Sequence, residues 1–270
     1  MLPPLLYAPT STAGLCIAGL QCLNLLAGVN EIASPTPYSK FAADDKAKSA
    51  GMIPSKLGML GIYVPPAAAA AAALAIDVGS AGNGRETIVA GLLLTHFGKR
   101  VAEVLCIHRY SGSMASGTAG FIGTFYSLIV VLVAWQQRAV PASLYVGADP
   151  VLGVALALFA IGQAGNLYHH WLLSTMRRPT SGSAASPSGV STYQIPTGGL
   201  FPLVTMPHYL FEIIAWLGIA LATQQLNAVL VSGGMASYLT GRSVATTRWY
   251  KEKFGKAWPE SRKNLIPFVF

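Results

Sequence analysis

Residues 193–216 read YQIPTGGLFPLVTMPHYLFEIIAW. The stretch begins with a proline and glycine turn and continues as an apolar run, in which His208 and Glu212 stand one helical turn apart on the same face. Ionisable side chains inside an apolar segment cost free energy unless they pair with each other or line a cavity. We therefore interpret this pair as the mark of a polar site inside a bundle of membrane helices.

The composition of the whole chain also indicates a membrane setting. Apolar residues make up 53% of the 270 residues and charged residues only 10%, whereas soluble domains usually carry about 25% charged residues. So few charges do not cover the surface of a soluble domain. The sequence therefore predicts an integral membrane protein.

Seven apolar segments are long enough to cross a bilayer, which takes roughly 20 residues per helix. They are Ser11–Ala33, Leu57–Val78, Glu86–Ile107, Ala119–Trp135, Val151–Ser174, Gly199–Thr223 and Leu226–Thr240. The first lacks the basic region that opens a signal peptide, so we expect it to be retained as a helix. The predicted fold class is all-α, a polytopic seven-transmembrane-helix bundle in which residues 1–270 form a single membrane domain.

Basic residues fall on one side of this predicted topology. Every lysine and arginine except Arg85 and Arg138 lies in the first, third or fifth connection or in the carboxyl-terminal tail. Because cytoplasmic connections retain such residues, the carboxyl terminus is predicted on the cytoplasmic or matrix side. This side preference also accounts for the net charge of +8, so nucleic acid is not an expected partner. We expect the endoplasmic reticulum, with the mitochondrial inner membrane as the alternative.

Two further stretches concentrate polar residues near the ends of predicted spans. They are THFGKRVAEVLCIHRY at 95–110, which contains Lys99, Arg100, Glu103 and Arg109, and GNLYHHWLLSTMRRP at 165–179, which contains Asn166, His170 and Arg177. In one interpretation they lie at the interface, with Lys99 and Glu103 paired at i,i+4. In the other, arginines on this side bind the phosphates of a nucleotide in a helical cavity. The Ser- and Gly-rich segment 180–192 is predicted to be a flexible linker.

Metal and disulfide chemistry are not indicated. The chain has five histidines and a single HxxxE pair, whereas a membrane di-iron site needs close clusters of histidines. Its three cysteines are odd in number and lie in apolar segments. We therefore expect no metal site and no disulfide framework.

Three stretches resemble, in order and spacing, the carboxyl-terminal domain of the steroid 5-alpha-reductase family. They are GNLYHHWLLSTMRRP, residues 193–216 and the tail GRSVATTRWYKEKFGKAWPESRKNLIPFVF. The GNxxxH form of one motif and HFGKRVAEVLCIHRYSGSM look more like the trans-2-enoyl-CoA reductase branch, and the triplet Pro207–Tyr209 is closer to polyprenol reductases. The resemblance covers about residues 96–270 and leaves 1–95 as divergent amino-terminal spans.

This resemblance implies a membrane reductase that uses NADPH from the cytoplasmic face. Its implied reaction is hydride transfer to a conjugated carbon–carbon double bond in a lipid or acyl-CoA substrate of the enoyl-CoA, steroid or polyprenol type. By position, the residues that line the family's cofactor pocket are Arg100, Asn166, Arg177, Tyr193, His208, Glu212, Arg242 and Tyr250. Arg109 and His170 complete the expected set, since Arg109 lies on the same side and His170 stands where the steroid enzymes have Asp.

The positions that would act on the substrate depart from the family's pattern. Family members use a Glu near the second span and a Tyr in the third to hydrogen-bond the substrate carbonyl. This chain has Phe97 in the third span, and Ile62 or Tyr63 at the second-span position. Two hypotheses follow: Tyr63 serves as the donor in a working reductase, or the protein is a catalytically inactive accessory subunit of a larger membrane complex. A third is a methyltransferase that binds S-adenosylmethionine, since the tail motifs RWYxxxFG and IPF also resemble those enzymes.

Overall fold

The protein is predominantly helical. The computed structural model describes residues 6–37, 41, 51–80, 84–110, 112–145, 150–176 and 193–270. The helices are α1 (Thr12–Asn24), α2 (Ala27–Ala33), α3 (Ser55–Val78), α4 (Arg85–Cys106), α5 (Ser116–Gln137), α6 (Pro150–Met176), α7 (Pro207–Thr223) and α8 (Leu226–Phe254), with short 3-10 helices at Ala142–Tyr145 and Gly255–Ala257. Two short strands, β1 (Met52–Pro54) and β2 (Ser113–Ala115), pair antiparallel. Arg177 and the predicted linker 180–192 lie outside the described residues.

Several helices present apolar side chains to the outside of the fold. Four segments are long and apolar enough to cross a membrane: Thr12–Ala33, which joins α1 and α2, and the helices α3, α5 and α6. Leu20 on α1, Phe121 on α5 and Ile161 on α6 are 65%, 73% and 54% exposed. Such residues lose no free energy against lipid chains, whereas water would penalise them. The expectation of an integral membrane protein with a helical fold is therefore confirmed.

Three predicted segments differ in their bounds from the helices of the structure. The first contains a break at Leu25 and Leu26, between α1 and α2. The sixth was predicted to begin at Gly199, but residues 198–206 form turns and α7 begins at Pro207, whose fixed φ suits a first helical position. The last was predicted to end at Thr240, yet α8 continues to Phe254. Small polar residues in its second half, such as Ser243 and Thr246, are buried against other helices, so polarity does not end the helix.

Glycines allow the helices to approach closely. A Cβ on Gly162 of α6 would lie 2.4 Å from the backbone nitrogen of Ala215 on α7. A Cβ on Gly241 of α8 would lie 2.2 Å from the carbonyl oxygen of Gly28 on α2. Small residues at crossing points are the usual way in which membrane helices gain packing contacts, because lipid provides no hydrophobic drive between them. The larger buried side chains, such as Phe97 and Trp216, fill the space that remains.

The connections meet at two opposite ends of the bundle. At one end β1, which precedes α3, pairs with β2, which precedes α5, and Thr205 donates a backbone hydrogen bond to Lys263 in the tail. At the other end the backbone of Tyr7 bonds to the junction between α7 and α8. There the Tyr145 hydroxyl accepts from Gln137 at 2.7 Å, and burial raises the pKa of Tyr145 to about 12. Tyr145 is therefore a neutral hydrogen-bonding group at physiological pH.

The contact between α6 and α7 gives a direct test of this packing. Gly162→Ala is expected to lower the free energy of unfolding by about 1–3 kcal/mol, because the new methyl group overlaps the α7 backbone. Gly153→Ala is the matched control on the same helix, where a Cβ meets open space and alanine favours the helix by roughly 0.5–1 kcal/mol. Thermal unfolding of the purified protein in detergent measures both, and equal melting temperatures would contradict the close contact.

Candidate functional site

A buried arginine on α4 joins three helices near one end of the bundle. Arg100 is 6% exposed, and its Nη2 donates to the hydroxyl of Tyr63 on α3 at 2.8 Å. The guanidinium carbon also lies 4.7 Å from the centre of the Tyr63 ring, at which distance a cation is attracted to the aromatic face. Arg100 Nη1 donates to the Glu103 carboxylate and lies 3.0 Å from Nδ1 of His170 on α6. We call this group the Arg100 cluster. Together with the residues described next, it consists of Tyr63, Lys99, Arg100, Glu103, Asn166, His170, His208 and Glu212.

The cluster extends to α7 through a lysine and an amide. Lys99 donates to Glu103 at 3.0 Å and to the amide oxygen of Asn166. The Asn166 amide nitrogen donates to the backbone carbonyl of His208 at 2.8 Å and to the carboxylate of Glu212 at 3.2 Å. His208 and Glu212, the pair singled out in the sequence, therefore both accept hydrogen bonds from Asn166 of α6. Lys99 and Glu103 therefore pair at i,i+4, as one interpretation expected, but inside the bundle rather than at its surface.

The charges of the cluster balance. Lys99 and Arg100 face the carboxylates of Glu103 and Glu212, and Glu103 is 1% exposed. Charge pairs at this depth survive only because hydrogen bonds satisfy each group. Arg100 Nε is a buried donor that has no hydrogen-bond partner among the described residues. A carbonyl or phosphate oxygen of a ligand would satisfy it.

Histidines surround the cluster. The ring of His170 lies 5.0 Å from that of His208 and 4.8 Å from that of His108, whose Nδ1 lies 2.9 Å from the Tyr110 hydroxyl. His96 lies farther along α4, with its Nδ1 2.9 Å from the amide nitrogen of Gln163. His108 and Tyr110 were not predicted as site residues, although their position directly after the charged turn of α4 was a usable signal.

Glu103, His108 and His170 also form the kind of group that binds metals. One donor atom from each lies within 4.8 Å of the others. However, Arg100 already bonds to Glu103 and lies 3.0 Å from His170 Nδ1. A metal cation would compete with the guanidinium for these atoms and would be repelled by it. The three residues therefore fit an anionic or neutral ligand near Arg100 better than a metal ion.

The glycine pair in IPTGGLF has a structural role. The backbone nitrogen of Leu200 donates to Nε2 of His169 at 3.1 Å, and Nδ1 of the same ring donates to the Gly165 carbonyl at 2.6 Å. Gly199 has a φ of +50°, and a Cβ there would lie 2.7 Å from His169 Nε2. Only glycine fits such a position without strain. The turn is thereby held against α6, immediately before the residues of α7 that join the cluster.

The remaining expected cofactor residues lie in other contacts. Arg242 on α8 bonds to the carboxylate of Glu31 on α2, and its guanidinium carbon lies 4.9 Å from the Phe41 ring. Tyr250 stacks on Trp258 with ring centres 5.0 Å apart. Tyr193 packs edge-on against Trp249, and Arg109 is an exposed residue just beyond α4. The structure thus brings together Tyr63, Arg100, Asn166, His170, His208 and Glu212, whereas Arg242, Tyr193 and Tyr250 make the contacts given above.

An apolar cavity of about 240 Å³ lies between α1, α2, α5 and α8. Phe121, Phe125 and Met235 are among its lining residues, and Gln21 and Glu31 provide polar atoms on one wall. Tyr126 lines the cavity and also stacks against Tyr63, with ring centres 6.3 Å apart. Tyr126 therefore connects the ring of Tyr63 with a space suited to an apolar ligand.

The fold and the site define a helical membrane protein that contains a buried ionic cluster and an apolar cavity, and comparison with known proteins identifies its family. The family model for 3-oxo-5-alpha-steroid 4-dehydrogenase matches residues 118–270. The human 3-oxo-5-alpha-steroid 4-dehydrogenase 2 is 30% identical over 243 residues, which cover 88% of this chain and 90% of that protein. A rat 3-oxo-5-alpha-steroid 4-dehydrogenase 1 is 30% identical over 219 residues, 80% of this chain and 76% of the relative.

The enoyl-CoA reductase branch also appears among the relatives. A very-long-chain enoyl-CoA reductase of Dictyostelium discoideum is 32% identical over 177 residues, which cover 64% of this chain and 55% of that protein. The chain belongs to the steroid 5-alpha-reductase family, and the resemblance found in its motifs is confirmed.

The cluster predicts a stability effect that is independent of any ligand. Glu103→Gln removes the charge that Lys99 and Arg100 share, so the free energy of unfolding is expected to fall by about 3–5 kcal/mol. Glu252→Gln is the control, because Glu252 lies exposed on α8. Thermal unfolding in the same detergent compares the two variants. A Glu103→Gln protein as stable as the control would show that the buried ion pairs contribute little.

Proposed function

We propose that this protein is a membrane reductase that uses NADPH to reduce a conjugated carbon–carbon double bond in a lipid substrate of the enoyl-CoA, steroid or polyprenol type. One observation carries the proposal: a buried arginine holds the hydroxyl of Tyr63, whose ring stacks on Tyr126 in the wall of an apolar cavity. The relatives described above are named for reactions on steroids and acyl-CoA. A donor next to an apolar space is what a lipid that carries one carbonyl group requires.

In the proposed reaction Tyr63 binds the substrate carbonyl oxygen. NADPH supplies a hydride when bound, and reduction of a conjugated double bond leaves negative charge on that oxygen. Arg100 donates to the oxygen of Tyr63, and the adjacent positive charge strengthens the Tyr63 hydroxyl as a donor to the substrate oxygen. Tyr63 is 8% exposed, so little water weakens this hydrogen bond. Tyr63 would thus replace the tyrosine that the family carries where this chain has Phe97.

The Arg100 cluster is the proposed place for the nicotinamide nucleotide. The unpartnered Arg100 Nε offers a donor to a carboxamide or phosphate oxygen, and Asn166, His170, His208 and Glu212 supply polar atoms around it. Further cationic and aromatic side chains would bind the rest of the nucleotide, which extends beyond so small a cluster. They are Arg109, Arg177, Tyr193, Arg242 and Tyr250.

We further propose that the helices cross the membrane seven times, with the carboxyl terminus on the cytoplasmic or matrix side. The end-to-end contacts support this topology, since β1 pairs with β2 and Thr205 with Lys263 at one end, while Tyr7 meets Gln225 at the other. Each contact joins connections that seven crossings place on the same side. The endoplasmic reticulum is the proposed location, with the mitochondrial inner membrane as the alternative.

Phe97 favours a second candidate, a catalytically inactive accessory subunit of a larger membrane complex. It lies fully inside the core at 1% exposure and carries no hydrogen-bond donor. In addition, the charges of the Arg100 cluster are largely satisfied from within the chain. A protein that only kept the fold would still need this balance for stability.

Tyr63→Phe separates the two candidates. The purified wild type is expected to bind NADPH and to reduce an enoyl-CoA, a 3-oxo-4-ene steroid or a polyprenal. Tyr63→Phe is expected to lower kcat by about 100- to 1,000-fold, because a donor to the developing oxyanion is lost. Its Kd for NADPH should stay unchanged. Tyr168→Phe is the matched control, since Tyr168 is 47% exposed on the outside of α6.

Other outcomes of this experiment identify the alternatives. Bound NADPH without turnover of any of the three substrates would support the accessory subunit and retire the role of Tyr63. Titration with S-adenosylmethionine runs in parallel, and binding of that compound in place of NADPH would favour the methyltransferase.

A further inference from the structure

Amide side chains line a second cavity, of about 450 Å³, at the end of the bundle opposite the Arg100 cluster. Three parts of the chain form its walls: the segment before α1, the last turn of α5 and the first residues of α8. The lining residues that matter for the argument are Tyr7, Pro9, Trp135, Gln136, Gln225 and Asn227. No residue of the proposed reductase site belongs to this cavity.

The amino-terminal wall is held in place by backbone hydrogen bonds. Tyr7 donates to the Gln224 carbonyl at 2.7 Å, and its own carbonyl accepts from Leu226 at 2.9 Å. Ser11 then caps α1 by accepting from the backbone nitrogen of Gly14 at 3.1 Å. The segment therefore crosses the junction of α7 and α8 as a strap, and the cavity is a built feature of the fold.

Three amides at the cavity retain unused hydrogen-bonding atoms. Asn227 donates to the side-chain oxygen of Gln136, and Gln225 donates to that of Gln137 at 2.8 Å. This leaves Gln136 Nε2 as a donor and the amide oxygens of Gln225 and Asn227 as acceptors, and none of them has a partner in the described part of the chain. All three residues are more than nine-tenths buried. If both amides of the Gln136–Asn227 pair are rotated so that oxygen and nitrogen change places, the pair still has one donor and one acceptor without a partner.

The free atoms and their surroundings define the ligand. Two acceptors beside a donor match hydroxyl groups, each of which donates and accepts. An anion is disfavoured, because Arg138, the basic residue among the described residues of the lining, is bonded to Asp77 at 2.7 Å. Trp135, Tyr7 and Pro9 add flat apolar surfaces, on which the C–H face of a sugar ring can pack.

The position of the cavity points to a lipid as the source of those hydroxyl groups. Trp135 is 49% exposed and lies near the end of the candidate span α5, where tryptophans mark the boundary between hydrocarbon and headgroups. We propose that this cavity binds the neutral, polyhydroxylated headgroup of a glycolipid. The site is independent of the proposed reductase function.

The test uses the full chain in phosphatidylcholine nanodiscs that contain a minor fraction of monogalactosyl diacylglycerol. Maltoside detergents must be removed first, because they carry a sugar headgroup themselves. Native mass spectrometry measures how much of each lipid the protein retains. The wild type is expected to retain the galactolipid in preference to phosphatidylcholine. Asn227→Leu is expected to reduce that preference about tenfold through the lost hydrogen bond.

A second variant guards against misfolding. Ala139→Phe fills the cavity and leaves the amides intact, and it should abolish the preference without lowering the melting temperature in pure phosphatidylcholine. The matched controls are Gln194→Leu and Ala142→Phe, which lie exposed outside the cavity and should retain the galactolipid. A wild type without preference, or variants that retain the galactolipid as the controls do, would overturn the proposal.

A separate arm identifies the source of the ligand. Methyl β-galactoside is added to nanodiscs of phosphatidylcholine alone. No retention of this free sugar, together with retention of the galactolipid, supports the lipid headgroup. If the protein retains the free sugar but not the galactolipid, the glycolipid proposal is overturned in favour of a soluble sugar. This holds even if both variants abolish retention of the free sugar.

Discussion

The burial of one guanidinium group is the constraint on which the described structure most depends. Arg100 lies among apolar helices, where an unpaired charge would cost several kcal/mol. Its partners come from α3, from its own helix and from α6, and all of them must be in place at once. The ion pair therefore sets how these helices meet at one end of the bundle. A phenol is held in a fixed position as a direct result.

The two ends of the bundle solve the problem of buried polarity differently. The Arg100 end uses full charges that balance, and one unused donor remains there for a ligand. The opposite end also contains the Arg138–Asp77 ion pair, but around its cavity neutral amides leave both donors and acceptors unused. Full charges suit phosphate-bearing or carbonyl-bearing ligands, whereas amides suit hydroxyl groups. This difference is why we assign separate ligands to the two ends.

Several elements of the fold could be predicted because they depend on local pattern. The bounds of α3, α4, α5 and α6 agree with the predicted segments within a few residues, since apolar runs of spanning length form helices whatever surrounds them. The start of α7 was wrong by eight residues, because the apolar letters of GGLFPLVTM form turns held by His169 of another helix. The end of α8 was wrong because buried packing supports its polar second half.

The sequence by itself determined the membrane character of the protein, the family and the common face of His208 and Glu212. These depend on composition, on motif order and on the helical repeat, all of which are properties of neighbouring residues. Only the tertiary structure decided that Asn166 joins that pair, that Arg100 holds Tyr63 and that three amides border a cavity at the far end. Those contacts join residues far apart in the chain, and their geometry exists only once the helices have packed against one another.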